Sequence, residues 1–214
     1  MIQPGIRSPA RSREPQYLFA AVSVLLLASG IDPVADRLTW FLETFPVILG
    51  LFLLALSYRR FPLTPLLYRL LALHALVLIV GGYYTYAEVP AFNWLQEALH
   101  LSRNHYDRVG HLAQDFVPAI LAREILLRRS PLQPGKWLFL IVTSICLAFS
   151  AFYEMIEWWT ALLSEEAAQA FLGTQGDPWD TQWDMFLALV GALSSQLLLA
   201  RLHDRALTRL AARP

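Results

Sequence analysis

Six long apolar runs constrain the fold of this chain more than any other feature. They cover residues 16–31, 40–57, 65–84, 109–127, 137–159 and 183–202. About 20 helical residues, rising roughly 1.5 Å each, cross the ~30 Å hydrocarbon core of a bilayer. The runs are continuous rather than alternating, which favours helices over the strands of a membrane barrel. The sequence therefore predicts an all-α, polytopic membrane protein with a six-helix transmembrane bundle.

Composition excludes several other classes of protein. Apolar residues make up 56% of the 214 residues and charged residues only 16%, which excludes a disordered chain, a coiled coil and a nucleic-acid-binding protein. We expect one membrane domain over residues 16–203, between a cytoplasmic N-terminal segment (1–15) and a basic cytoplasmic tail (204–214). The single cysteine, Cys146, excludes an intrachain disulfide.

Basic residues are concentrated on one side of the six predicted spans. This side holds all of the 17 Lys and Arg residues except Arg37, Arg103 and Arg108. The positive-inside rule therefore places both termini in the cytoplasm. The 17 acidic residues are distributed in the opposite way, and only Glu14, Glu124 and Asp204 are cytoplasmic. The first run could also be a cleaved signal peptide, but a retained helix is favoured, and the orientation is the same in both cases.

Two outer connections are too long to lack structure of their own. In the first, residues 92–99 form a predicted amphipathic helix after Pro90. In the second, residues 164–172 form a predicted helix with Ser164 as its N-cap and Gly173 as its stop.

Ionisable residues recur at helical spacing near the outer ends of the last three spans. Asp107, His111 and Asp115 are four residues apart, so one helix face presents them on successive turns. Glu154 and Glu157 are neighbours at i, i+3 near the end of the fifth span. A carboxylate inside the membrane is costly unless it is paired, protonated or in contact with water, so Glu154 is a candidate functional residue.

The segment from Gly173 to Asp184 contributes a third group. It contains the turn Gly176-Asp177-Pro178 and then Asp180 and Asp184 on one helix face. Because sequential antiparallel helices are usually neighbours, we expect the three groups to meet in one outer pocket. Glu43 could join this pocket or pair with Arg37, and the pair is the simpler interpretation.

Oxygen and imidazole groups in such an acid-rich pocket suit a divalent cation, namely Zn, Mn, Fe or Mg. The candidate metal ligands are Asp107, His111, Glu154, Asp180 and Asp184. The candidate catalytic residues are His111, Asp107 and Glu154. The candidate substrate-binding residues are Arg103, Arg108, Glu157, Gln175, Trp179 and Gln182. The alternative interpretation is that these charges are interfacial anchors and helix caps.

The sequence resembles a family of bacterial inner-membrane proteins of unknown function typified by YjdF. The resemblance covers residues 17–203 and depends on residues 40–46, 107–111, 153–158 and 173–185. It implies a multi-helix protein of the inner membrane and no particular activity.

A looser resemblance is to VanZ-like proteins, whose pattern has an Asp four residues before a His, then Glu-x-x-Gln, then Asp-x-x-x-Asn. Asp107 and His111 match the first element. Glu157 stands where Gln is expected and Asp184 where Asn is expected, and an Arg before the final Asp is missing. The resemblance implies a shared pocket and a link to cell-envelope stress.

Three functional hypotheses follow. The leading one is an inner-membrane protein whose outer Asp/His/Glu pocket binds or acts on an envelope component such as a lipid-linked phosphate, as a metal-assisted hydrolase if it is an enzyme. The second is a small ion- or proton-coupled transporter that uses Glu154, Asp115 and His74. The third is a scaffold in which Glu154 pairs with Arg103 or Arg108. The lipid bilayer is a partner in each case, and the sequence predicts no oligomeric state.

Overall fold

The computed structural model describes residues 13–163 and 174–212, and within them every regular element is helical. The seven α-helices are α1 (Glu14–Ser29), α2 (Arg37–Ser57), α3 (Pro65–Tyr84), α4 (Pro90–Leu99), α5 (Tyr106–Arg129), α6 (Lys136–Leu163) and α7 (Asp180–Ala211). A 3-10 turn, Tyr86–Glu88, precedes α4. The all-α prediction is confirmed. The predicted helix 164–172 lies outside the described residues.

Four of these helices are long and apolar enough to cross a membrane, namely α2, α3, α6 and α7. The six-span count is therefore not reproduced by length and hydropathy. Helix α1 is apolar but has only 16 residues. Helix α5 has 24 residues and many polar side chains. Its position explains this composition, because α5 packs against α3, α6 and most extensively α7, and a helix shielded from lipid can carry polar groups.

Local capping explains why some helices begin earlier than their apolar runs. The Asp36 carboxylate accepts hydrogen bonds from the backbone N–H groups of Leu38 and Thr39, so α2 begins at Arg37 rather than at residue 40. The hydrogen bond from the Thr39 hydroxyl, together with the bonds from these N–H groups, lowers the pKa of Asp36. Thr64 caps α3 in the same way. At the other end of the chain, α7 continues to Ala211, so the predicted tail is helical from residue 204 to there.

The predicted helix 92–99 is confirmed as the main part of α4. Pro90 occupies its first turn, and His100 ends it in a left-handed conformation with φ 52°. The segment before α4 is held by Tyr86, whose ring lies against Gly81 of α3 and Gly110 of α5. A Cβ at either glycine would come within 2.5 Å of that ring.

Successive long helices run in opposite directions, so the bundle has two ends that differ in charge. The acidic end contains the start of α2, the end of α3, the starts of α5 and α7 and the end of α6. The basic end contains the opposite helix termini, including Arg69, whose guanidinium binds Glu14 of α1. The structure contains no membrane, so the cytoplasmic assignment of the basic end stays a prediction.

Candidate functional site

The predicted polar face of α5 points into the bundle at the acidic end. Asp107, His111 and Asp115 are all buried, with exposed fractions of 7%, 6% and 1%. The four-residue spacing places them on one side of the helix, and this side lines a cavity together with side chains of α2, α3 and α6. Helix α7 approaches α5 closely at Gly191, where a Cβ would lie 2.2 Å from the backbone oxygen of Leu112.

His111 is the centre of a three-helix cluster. Its Nε2 atom lies 3.3 Å from Oδ1 of Asp107 and 3.7 Å from Oδ1 of Asp184 on α7. Its Nδ1 atom lies 3.9 Å from Oε1 of Glu154 on α6. The structure therefore brings together residues from α5, α6 and α7, as the spacing pattern predicts.

Three of these residues form a possible metal site. One donor atom each from Asp107, His111 and Asp184 lies within 4.8 Å of the other two. Glu154 contacts the opposite side of the imidazole. Asp180, the remaining predicted ligand, instead binds two guanidinium groups and stays outside the group of three.

Arg103 and Arg108 hold the start of α7 against the start of α5. Arg103 binds Asp180 and Asp107, with 3.4 Å between its Nη2 and Oδ2 of Asp107. Arg108 binds Asp184 and lies 2.8 Å from Asp180 and 3.1 Å from Asp177. The scaffold hypothesis expects Glu154 to pair with one of these arginines; the ion pairs just described run to aspartates, and Glu154 lies beside His111.

The other predicted substrate-binding residues do not converge on this cluster. Gln175 uses its side-chain amide to bond the backbone of Asn104 in both directions, at 2.9 Å each, and so anchors the loop before α7. Trp179 and Gln182 are exposed and face away from the buried site. Glu157, in contrast, is buried and lines the same cavity as Asp107 and His111. Binding roles for Gln175, Trp179 and Gln182 stay predictions.

Glu43 of α2 belongs to the site, although its pairing with Arg37 was the simpler expectation. Its carboxyl group is buried and lines the cavity with Asp107 and Glu157. Arg37 is turned away and donates to the backbone oxygen of Ile31 at 3.4 Å. The expected Arg37–Glu43 pair is wrong because Glu43 lies less than two helical turns from the start of α2, on the face that packs against α3. The sequence signal for this position was an acidic residue inside an apolar run, since such a residue is costly in a membrane unless it faces the interior of the bundle.

Negative charge exceeds positive charge at the acidic end. Two arginines and one histidine face seven carboxyl groups, those of Glu43, Asp107, Glu154, Glu157, Asp177, Asp180 and Asp184. The pKa of His105 is lowered, first by partial burial and then by the positive charges of Arg103 and Arg108. Several carboxylates in so small a buried volume require protons or a bound cation.

Some polar atoms of the site have no hydrogen-bond partner among the described residues. They are Nδ1 of His111, Oε1 of Glu154 and both carboxylate oxygens of Asp115. Buried polar groups in proteins are nearly always paired with protein, water or an ion. These atoms are therefore free to bind water, an ion or a ligand.

The site opens into a cavity of ≈ 480 Å³. Near the site its walls are polar, with Glu43, Asp107, His111, Asp115 and Glu157. Farther along α5 and α6 the walls become apolar, with Leu121, Ile125, Leu126, Ile145 and Phe149. The cavity is thus amphipathic along its length.

A second buried polar cluster lies at the basic end and was not predicted from the sequence. His203 of α7 is fully buried between Glu124 (3.0 Å) and Arg123 (2.9 Å) of α5. Glu124 also accepts hydrogen bonds from the backbone and hydroxyl groups of Thr64 and from Arg128. Both carboxylate oxygens of Glu124 are hydrogen-bonded, so we interpret this cluster as a structural contact that holds α3, α5 and α7 together. No sequence spacing connects Glu124 with His203.

The fold and this site define an integral membrane protein with a polar, buried site at one end of a helical bundle. The chain belongs to the family described as "Predicted membrane protein (DUF2238)", which matches residues 15–205. It is 52% identical over 188 residues to the inner membrane protein YjdF of Escherichia coli (strain K12), covering 88% of this chain and 90% of that protein. No solved structure matches the chain. The family resemblance is confirmed; the looser resemblance to VanZ-like proteins is not shown.

Proposed function

We propose that this protein binds a divalent cation at Asp107, His111 and Asp184 and uses it to hold the phosphate of an envelope lipid or lipid-linked substrate. The observation that carries the proposal is the convergence of the three donor atoms within 4.8 Å. Each donor comes from a buried residue, and two helices supply them.

Charge supports a cation at this place. Asp180 is already neutralised by Arg103 and Arg108, and Asp107 shares Arg103 with it, whereas Glu154 and Glu157 lie beside a single imidazole. Removing charges from water is costly unless each one is compensated. A divalent cation beside His111 would supply that compensation.

The donor types limit the identity of the cation. Carboxylate oxygens combined with one imidazole suit Zn, Mn, Fe or Mg, and the absence of a thiolate in the group argues against Cu(I). Cys146 also lines the cavity, but it lies on α6 beyond Tyr153 and is not one of the three grouped ligands.

Phosphate is the substrate group that fits best. A cation bound by only three protein groups keeps open coordination positions, and phosphate oxygens commonly fill such positions. In a hydrolytic version of the proposal the cation would activate a water molecule. Asp107 would hold the cation together with Nε2 of His111, and Oε1 of Glu154, which lies on the Nδ1 side of the ring, would fix the orientation of the imidazole.

Metal content tests the cation part of the proposal. The full chain is purified in a non-ionic detergent, and metal per protein is measured by elemental analysis for wild type, His111→Ala and Asp184→Asn. His105→Ala and Asp32→Asn are the matched controls, since neither residue is among the grouped ligands. We expect stoichiometric metal in wild type and controls and loss of it in the site variants. Wild-type protein that contains and binds no divalent metal would overturn the proposal.

Phosphate binding is tested separately on the metal-loaded protein. Dodecyl phosphate should raise the thermal midpoint of wild type by mass action, and it should do so only with the cation present. Dodecanol is the control ligand. An equal shift with dodecanol, or with the His111→Ala variant, would contradict phosphate recognition.

A transporter is the second candidate because of two deeper residues in the same cavity. Asp115 and His74 both line it, and both carboxylate oxygens of Asp115 and Nε2 of His74 have no hydrogen-bond partner in residues 13–163 and 174–212. Polar groups at several depths are typical of an ion path. Flux of protons or the bound cation into proteoliposomes, lost in Asp115→Asn but not in Asp32→Asn, would favour transport over binding.

A further inference from the structure

We infer that the apolar part of the cavity is a binding site for the hydrocarbon tail of a lipid that enters sideways from the bilayer between α5 and α6. This inference deepens the proposed function, on which the identity of the head group depends. The tail site itself is argued from the shape and lining of the cavity alone.

The cavity is long and narrow. Its lining on α5 extends from Asp107 to Leu126, which at 1.5 Å per residue is about 28 Å. On α6 the lining extends from Glu157 back to Ile145. The cavity therefore follows α5 through nearly the full thickness of a hydrocarbon core.

The surrounding helices limit which kind of occupant fits. Side chains of α2, α3, α5 and α6 all line the cavity, so it lies inside the bundle. A cavity of ≈ 480 Å³ in this position has room for a single flexible hydrocarbon chain. An apolar volume of this length also suits a hydrocarbon chain better than water, which needs polar partners.

The cavity lining changes from polar to apolar along its length, just as a lipid changes from its head group to its tail. Carboxyl and imidazole groups occupy the end near His111, and the walls beyond Pro118 are Leu, Ala, Ile and Phe. A head group bound at the site would place its tail directly into the apolar part. The cavity and the candidate site are thus continuous parts of one binding site.

An opening toward the bilayer is visible beside the apolar part. Ile125 of α5 and Phe149 of α6 both line the cavity, yet 42% and 70% of their surfaces are exposed. In a membrane these side chains would face lipid, so a tail could slide between them without crossing water. This opening argues for a bilayer lipid rather than a water-soluble ligand.

Two prolines lie where the helices leave this space. Pro46 in α2 and Pro118 in α5 lack the N–H group that would bond the preceding turn, and such residues kink helices. Both line the cavity, and both also line a second apolar cavity of ≈ 460 Å³ beside α1. The two cavities share Pro46, His74, Leu78, Pro118 and Leu121, so a longer or branched tail has room to continue.

Photolabelling of the full chain tests the tail site. The probe is dodecyl phosphate with a diazirine at the far end of its chain, added to the purified metal-loaded protein in non-ionic detergent. Labelled residues are mapped by mass spectrometry. We expect label on cavity residues such as Ile125 and Phe149, and little on Leu140, which is 52% exposed and outside the cavity.

A matched pair of substitutions separates labelling inside the cavity from labelling of the exposed surface. Ala122→Phe narrows the apolar part of the cavity, whereas Ala148→Phe adds the same bulk at an exposed position that does not line it. Cavity labelling should fall roughly tenfold in the first variant and stay unchanged in the second. Excess unlabelled dodecyl phosphate should compete for wild-type labelling at Ile125, which keeps the test valid if Ala122→Phe folds poorly.

The outcomes separate this inference from the proposed function. Label spread evenly over exposed apolar residues, with no competition, would overturn the tail site even if the metal is bound stoichiometrically. Equal cavity labelling by the corresponding diazirine alcohol would support the tail site and overturn phosphate recognition by the head-group site.

Discussion

The Oδ1 atom of Asp184 lies 3.7 Å from the Nε2 atom of His111 and also contacts the guanidinium of Arg108. One carboxylate oxygen of α7 is therefore shared between the candidate metal ligand of α5 and a structural ion pair. A cation bound at His111 would compete with Arg108 for this oxygen. Stability and cation binding are consequently linked at this one position.

Arg108→Gln should weaken the protein and increase its dependence on a divalent cation. The change leaves Asp184 without its guanidinium partner and removes one of the two guanidinium groups that bind Asp177 and Asp180, and removal of one partner from a buried ion pair costs about 3–5 kcal/mol. Added Mn²⁺ should then raise the thermal midpoint in detergent more than it does for wild type. Arg60→Gln, at an exposed position, is the control, and an identical Mn²⁺ response in both variants would contradict the link.

Gly191→Ala should separate α5 from α7 at the level of the site. The added Cβ would lie 2.2 Å from the Leu112 oxygen and 3.0 Å from the Phe116 nitrogen, both of which are backbone atoms that cannot rotate away. We expect a loss of about 1–3 kcal/mol of stability, typical of overpacking, together with weaker metal binding. Gly50→Ala is the matched control because no atom lies within 4 Å of its Cβ. Similar midpoints for the two variants would show that the helices are not closely packed here.

Glu124→Gln should be among the most destabilising single substitutions in the chain. The carboxylate is fully buried and contacts His203, Thr64 and Arg128. Its neutralisation leaves the guanidinium of Arg128 without its carboxylate partner, and removal of one partner from a buried ion pair costs about 3–5 kcal/mol. The stability is measured by denaturant titration in mixed micelles, with the exposed Glu97→Gln as control. Metal content should stay at the wild-type level if the variant folds, because this cluster lies at the opposite end of the bundle.

Asp36→Ala should cost about 1 kcal/mol of stability at neutral pH, the usual contribution of an N-cap. The pKa of Asp36 is lowered in the folded protein, chiefly by the hydrogen bond from Thr39. A depressed carboxyl pKa contributes stability above the unfolded pKa of about 3.9, and this contribution is lost as the pH falls through the folded value. The difference between wild type and variant should therefore begin to shrink as the pH falls below about 3.9 and continue to shrink as the pH passes through the lower folded pKa. A difference that stays constant throughout this acid range would show that the ionised cap is not the cause.

The sequence predicted the contents of the site better than its contacts. The four-residue spacing of Asp107, His111 and Asp115 placed them on one face of α5, and that result needs only helix geometry. The same reasoning could not decide whether Asp180 or Asp184 would face His111, because both lie on one face of α7. In the structure Asp180 binds the two arginines, whereas Asp184 contacts the imidazole as well as Arg108.

Glu43 and Arg37 illustrate the limit of pairing residues by proximity in sequence. The two are less than two turns apart, yet Arg37 bonds the Ile31 carbonyl and Glu43 points into the cavity. The direction of each side chain depends on which face of α2 packs against its neighbours. That choice is made by tertiary contacts such as those of Gly82 in α3 with Glu43 and Thr44.

By itself, the sequence determined the helical class, the membrane setting and the depth of each polar residue along its helix, because apolar run length and helical periodicity are local properties. Tertiary structure alone decided which charges became partners. The contact of Glu124 with His203, the burial of Glu43 and the amphipathic cavity behind Pro118 all depend on how helices are rotated and how closely they approach. Those quantities follow from interactions summed over the whole bundle, which no single stretch of the chain contains.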